Sequence, residues 1–359
     1  LLWILKETYK WVPNDCTLAS RQPYRNTILF IIEAFPRVKV FFSMGATKVI
    51  ILPIAKTVNE ILPIIAKKLG LKHHLGFTLY LPGKDGEPSR PLDTNISIPE
   101  QAYHYEELEF KRRFYVISKY DLEDPNSLYL TFCDVRDLIL SGRVLMPFEK
   151  GVELMYYALH VDNTTKLTKE TIPKEKDFPQ HLPKGMKLNY SKGKNQLSQM
   201  LSSIPVKNRE AAMIKYIQIA RAIPSFGCEE FPVILVEDKK GHVQRTNVYL
   251  YVGPYRVYIT DEQKKKELVE VPYKRFIKLE TLGIELSMKY CDNNFKASYC
   301  DIESEKAEEI ASLILSHLNI HKEIMMMRME DENDNTSADR VELVTVFCKD
   351  FDNARSYVY

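Results

Sequence analysis

The sequence predicts a multidomain α+β protein of three lobes: a small mixed lobe of strands and helix, an all-helical lobe, and an antiparallel β-barrel closed by a C-terminal helix. Three observations predict it. At 359 residues the chain is too long for one ordinary small domain. Its apolar period changes near residue 119 from mixed to helical, and near residue 227 from helical to two-residue alternation. The second change falls inside "KYIQIARAIPSFGCEEFPVILVEDKKGH" (residues 215–242), where Pro224 and Gly227 separate the two patterns.

Bulk properties narrow the class. An apolar fraction of 45% describes a soluble globular chain with ample core material. The net charge of +2 is nearly balanced, so basic function must come from local clustering, and a nucleic-acid partner is not expected. The six cysteines, Cys16, Cys133, Cys228, Cys291, Cys300 and Cys348, show no metal-type spacing and read as reduced thiols of a cytosolic protein. The run Thr27–Phe35 is far short of the ~20 residues a membrane span needs. It follows Arg21 and Arg25 without a small-residue cleavage site, so no signal peptide is expected. The chain does not begin with Met and reads as a piece of something longer.

Residues 1–36 hold no complete repeat of any period and read as a partial N-terminal segment. The first lobe is expected over 37–118. In "RVKVFFSMGATKVIILP" the alternation Val38, Val40, Phe42 turns near Gly45 and resumes with Val49 and Ile51, a β-hairpin pattern. Thr57 and Glu60 then form a capping-box pair. Val58, Ile61, Ile65 and Leu69 make a helical stripe, Gly70 suits the C′ position, and Pro63 predicts a kink. Strand patterns follow at Phe77–Leu81 and Leu108–Val116. Hairpin, helix and further strands is a ubiquitin-like β-grasp order.

The helical lobe is expected over 119–226. Asp124 as N-cap, Pro125 at the first helical position and Gly142 past the end bound one helix, with Leu128, Phe132, Val135 and Ile139 buried. A second runs through Val152, Met155 and Leu159. A weaker one lies near Gln196–Leu201, and a last one is striped at Met213, Ile217, Ala220 and Ile223. Over 227–322, seven strand patterns precede a helix starting at Ser304 that buries Ala307, Ile310, Ala311, Ile314 and Leu318. This is the arrangement of pleckstrin-homology and phosphotyrosine-binding (PH/PTB-like) barrels. Residues 323–359 read as linker and tail, acidic over Met329–Arg340, with "IMMMRM" (324–329) continuing the final helix or, alternatively, offering a flexible partner surface.

The order ubiquitin-like lobe, helical bundle, barrel resembles the FERM domain, and within that family the talin-head group. Four stretches carry the likeness: "ATKVIILPIAKTVNEILPIIAKKLG", "EELEFKRRFY", "YLTFCDVRDLILSGRVLMPFEKGVELMYYA", and the block from "IKYIQIARAIPSFG" to "SLILSHLNI". They span residues 37–320 collinearly. Two features depart from talins and one from kindlins. A short loop, "PGKDGEPSRPLD", replaces their long basic insertion. No second domain interrupts the helical lobe, unlike kindlins. No talin rod is recognisable after residue 320, so a link to actin would run through sequence beyond this chain.

No catalytic constellation is present: the thirteen glycines form no G-x-G, and H-E-x-x-H and G-x-S-x-G are absent. His73-His74 reads as a surface pair, and neither cofactor nor metal is expected. Two surfaces could bind. In the strand pattern Tyr273–Leu279, Tyr273, Arg275, Ile277 and Leu279 share one face, and Lys274, Phe276 and Lys278 the other. An exposed barrel strand can take an extended peptide by β-augmentation. In talins the equivalent strand receives the Asn-Pro-x-Tyr segment of integrin β tails, and its basic-aromatic pair resembles Arg275-Phe276. The plainer alternative is an ordinary barrel strand with solvated lysines.

The second surface is lysine-rich. Residues 166–194 hold eight lysines against three carboxylates. Among them, Lys184, Lys187, Lys192 and Lys194 lie in a segment resembling the membrane-facing part of talin heads. Lys239 and Lys240, with Lys264, Lys265 and Lys266, mark two barrel tips. Such cations dock reversibly on anionic lipid.

The resemblance implies a non-enzymatic adaptor, cytoplasmic and peripheral at the plasma membrane. It would bind a receptor tail and anionic phosphoinositides. The alternatives are another FERM membrane-cytoskeleton linker, or the regulatory head of a truncated kinase or phosphatase.

Overall fold

The computed structural model describes residues 36–331 apart from 43–46, 84–88, 103–105, 164–166, 240, 265, 293 and 295. The expectations for residues 1–35, the hairpin turn at Gly45, Lys240, Lys265 and the acidic stretch from 332 onward lie outside the described residues. The chain divides into two compact units, one of residues up to 65 with 78–110, the other of 66–77 with 111 onward.

In the first lobe, β1 (Arg37–Phe41), β2 (Thr47–Ile51), β3 (Phe77–Leu81), β4 (Arg90–Pro91) and β5 (Glu107–Arg112) form one sheet ordered β2-β1-β5-β3-β4. β1 runs antiparallel to β2 and parallel to β5, the mixed pairing of a β-grasp. Helix α1 (Val58–Leu69) starts at the expected capping box: the Thr57 N–H donates to Glu60 Oε2 at 3.0 Å, and the Glu60 N–H to Thr57 Oγ1 at 3.4 Å. It runs unbroken through Pro63 and ends at Gly70, whose φ is +72°. A short helix, α2 (Ile98–Gln101), precedes β5.

One expectation is corrected in β2. Val38 pairs with Ile50, so Ile50 is the buried residue, while Val49 and Ile51 face water. With a side-chain period of two, a one-residue slip in reading the strand exchanges its faces.

The second unit holds two cores. The first is built by α3 (Lys119–Glu123), α4 (Pro125–Leu140), α5 (Phe148–Asp162), α6 (Tyr190–Ser203) and α7 (Arg209–Arg221). Asp124 caps α4, accepting from the Asn126 N–H at 3.0 Å, and all expected stripe residues of α4, α5 and α7 are buried. α6 begins six residues before the expected start at Gln196, because Asn189 caps it by accepting from the Lys192 N–H at 3.1 Å.

The second core is a seven-stranded antiparallel sheet of β6 (Glu229–Lys239), β7 (His242–Val252), β8 (Arg256–Asp261), β9 (Glu267–Pro272), β10 (Phe276–Leu282), β11 (Glu285–Cys291) and β12 (Ala297–Glu303), ordered β10-β11-β12-β6-β7-β8-β9. Helix α8 (Ala307–Asp331) packs into it through the expected residues and continues through the methionines, with Ile324 buried and Met325 and Met326 exposed.

The segment 113–118 joins the two cores. β5 stops at Arg112 instead of running to Val116. Beyond it, Phe114 and Val116 enter the barrel core, while Ile117 enters the helical core and Tyr115 packs against it. At the other crossing, Gly227 adopts φ +64°, and a Cβ there would lie 2.9 Å from both Tyr115 Cβ and Pro254 Cγ.

A buried polar cluster underlies this junction. The Arg112 guanidinium pairs with Asp121 and donates to Thr131 Oγ1 at 2.9 Å, and Asp134 accepts from the Arg112 N–H at 2.8 Å. Burial would raise the Asp121 pKa, but Arg112, His73 and the Ser118 hydrogen bonds bring it below the usual carboxylate range. His73 corrects an expectation: it is only 8% exposed, with Nε2 3.7 Å from the Asp121 carboxylate, because the turn after Gly70 folds back over α3 and α4.

Candidate functional site

β9 ends at Pro272, which has no N–H to continue the ladder. Tyr273, Lys274 and Arg275 then form a 3₁₀ turn, which corrects the strand expected to begin at Tyr273. Tyr273 anchors the turn: its hydroxyl donates to the Gly253 carbonyl at 2.8 Å, its N–H donates to the Tyr255 carbonyl at 3.3 Å, and its ring is buried between His317 and His321 of α8.

β10 starts at Phe276 and bulges between Phe276 and Lys278, which face Tyr290 and Lys289 of β11. Turn and bulge together break the expected two-face alternation. Tyr273 and Leu279 are buried as expected, but Arg275 and Ile277 are half-buried. Phe276 packs against the barrel core instead of standing outside between two lysines. Lys274 is exposed, and Lys278 pairs with Glu280 at 2.5 Å.

β10 is the terminal strand of the sheet. Among the described residues, no strand pairs with its outer side, while α8 packs beside it. An edge of this kind presents backbone N–H and C=O groups in register for an incoming extended segment.

The lysines divide into committed and uncommitted groups. Lys264 pairs with Glu230 at 2.6 Å and lies 4.1 Å from the Tyr249 ring centroid. Burial pushes the Glu230 carboxyl up, but Lys264 and the Tyr251 hydroxyl hold it below the ordinary range. Lys192 pairs with Glu149, and Lys194 lies 5.9 Å from the Tyr190 ring centroid. Lys184, Lys187 and Lys266 are exposed, and Lys239 ends β6.

Lys184 and Lys187 are presented by a turn. The Met186 N–H donates to the Pro183 carbonyl at 3.1 Å, with Gly185 at φ +79°. The Lys184 N–H is tied to the Leu140 carbonyl at 3.0 Å, and Met186 tucks against Gly151. The expected set omits Arg143, which is exposed in the α4–α5 loop beside this turn. It stands alone in the sequence between two helices, so clustering along the chain could not find it. Among the described residues no group of three His, Cys, Asp or Glu side chains could hold a metal, and no helix is long and apolar enough to cross a membrane.

The FERM central domain family matches residues 118–231. The crystal structure of the Drosophila Merlin FERM and C-terminal domain complex superposes with a TM-score of 0.63 at 17% identity, covering 82% of this chain and 98% of that one. The fold therefore belongs to the three-lobed FERM class. Talin-2 of Mus musculus is 23% identical over 231 residues, 64% of this chain and 10% of its own length. Talin-B of Dictyostelium discoideum is 23% identical over 337 residues, 91% of this chain and 12% of its own length. The chain thus contains a FERM domain resembling the talin head, and it spans about a tenth of the length of these relatives.

Proposed function

We propose that this chain is a non-enzymatic adaptor head of a membrane-cytoskeleton linker. It takes the cytoplasmic tail of an integrin-like adhesion receptor along β10 and rests on an anionic, phosphoinositide-bearing membrane through Lys184, Lys187 and their neighbours. The observation that carries the reading is the outer side of β10, with which no strand pairs among the described residues, preceded by the Tyr273–Arg275 turn and flanked by α8. Main-chain hydrogen bonds along that edge would supply affinity, and the half-buried Phe276 and Ile277 would sense the peptide's side chains.

Pull-down with a β-integrin-like tail peptide tests it. The Arg275→Ala, Phe276→Ala double variant is expected to lose most binding while still unfolding cooperatively, at a lower thermal midpoint because Phe276 packs on the barrel core. Retention of the parent's affinity would remove β10 from the account.

A further inference from the structure

A cleft of about 340 Å³ opens between the end of α7 and the turn joining β7 to β8, lined by Gln218, Arg221, Ala222 and Tyr255. Both sides belong to the same compact unit. None of the four lining residues is acidic, and the side chains of Gln218 and Arg221 offer N–H donors. The Arg221 guanidinium lies 5.0 Å from the Tyr255 ring centroid, and among the described residues it pairs with no carboxylate. Burial pushes the Tyr255 phenol up, and Arg221 is the first charge that opposes it. The Tyr255 hydroxyl accepts from the Ile117 N–H at 3.3 Å, which fixes the ring against the guanidinium. A guanidinium stacked on an aromatic face keeps its N–H edge free for a planar, two-oxygen acceptor.

The end of α7 does not spoil the cleft for an anion. Its Ile219 and Ala220 carbonyls accept from the Ala222 and Ile223 N–H groups at 3.2 and 3.1 Å. Lys215, exposed one turn before Gln218, adds a second cation to the same stripe of the helix.

The cleft adjoins the start of the β10 edge. The Tyr255 carbonyl accepts from the Tyr273 N–H at 3.3 Å, and Tyr273 begins the turn that leads into Phe276. His321 of α8, which packs on Tyr273, donates through Nε2 to the Pro254 carbonyl at 2.7 Å and meets the Tyr255 ring at 6.0 Å. An extended segment leaving β10 at its Phe276 end heads toward this cleft, and a further Glu-Glu-Glu would give it about 10 Å of reach.

We propose that Arg221, with Gln218 beside it, is a carboxylate subsite for an acidic residue of the peptide seated on β10, a few residues beyond the Phe276 end. This rests on the β10 reading above and adds a selectivity, for tails that carry Asp or Glu at that place over tails that carry Lys. The occupant is a peptide carboxylate because the cleft continues an edge that takes main chain and its cation presents a planar fork.

The test is fluorescence anisotropy of the whole chain with the β-integrin-like tail peptide extended by Glu-Glu-Glu, Ala-Ala-Ala or Lys-Lys-Lys, at the amino end in one set and at the carboxyl end in another. At one end only, the glutamate form should bind about tenfold tighter than the alanine form, and the lysine form more weakly than either. Arg221→Ala should bring the glutamate and alanine forms together. Arg221→Lys should restore only part of the gain, since an ammonium lacks the planar fork. Gln218→Glu leaves the stack on Tyr255 untouched and should cancel the gain by repulsion, so a folding defect at Arg221 cannot imitate the result.

Equal affinity of the glutamate and alanine forms for the parent, a gain that survives Arg221→Ala, or the same gain at both ends overturns the subsite and leaves β10 in place. Failure of every form to bind the parent overturns the β10 reading and the subsite with it.

Discussion

The His317 ring stacks on Tyr273, with centroids 5.8 Å apart and planes 21° from parallel, and so ties the closing helix to the turn that opens the edge strand. His317 is only 2% exposed, and Phe114 meets its ring edge-on at 5.1 Å. Burial first, then the charges of His321 and Arg113, push its pKa down to about 3. The neutral ring is therefore the folded form, and between pH 6.5 and 3 the unfolded chain binds a proton that the folded chain refuses. Stability attached to this group is complete above the unfolded value and falls as the medium is acidified, by about 2 kcal/mol at pH 5. Unfolding free energies from urea titrations at neutral pH and pH 5 should separate by that much more in the parent than in His317→Phe. His321 adds a further dependence of the same sign in both.

Gly227 tests the junction between the cores. Gly227→Ala meets both an unfavourable positive φ and two side chains at 2.9 Å, so its cost should exceed the backbone term alone and reach about 3 kcal/mol. Gly283→Ala, at φ +61° with nothing within 4 Å, should cost only about 1 kcal/mol. Equal thermal shifts for the two would mean that the contacts at Gly227 relax freely.

Asp121→Asn leaves the Arg112 guanidinium buried without its counter-charge, since both side chains are at most 1% exposed. The loss should be about 3–5 kcal/mol, and adding Arg112→Met should recover part of it. Chemical denaturation of the two single variants and the double one measures the coupling. Additive losses would deny it.

On anionic vesicles, Lys184→Ala with Lys187→Ala should remove about 2 kcal/mol of binding, some thirtyfold in partition. Lys264→Ala should change it less than threefold, because that ammonium is already occupied by Glu230 and Tyr249. The reverse ranking would relocate the docking face to the barrel tip.

Much of this architecture was legible in the chain, for reasons specific residues show. The Thr57–Glu60 box, the Asp124 cap and the stripes of α4, α5 and α7 are local in sequence and required no knowledge of partners. What escaped depends on contacts distant in sequence. The face of β2 is set by pairing with β1, not by its own run of three apolar residues. Tyr273 turns out of the strand because Gly253, Tyr255 and α8 hold it there. His73 is inside because Asp121, far along the chain, receives it. In the lysine clusters, sequence showed where cations gather but not which ones a carboxylate already claims.

The connector 113–118 has a mechanical meaning. Phe114 and Val116 are lodged in one core and Ile117 in the other, so neither core can be drawn away without extracting side chains from its neighbour. A load applied at the helical lobe would reach the barrel through a short stiff strut instead of a slack tether. The β10 edge and the Lys184–Lys187 turn should then shift together as one lever.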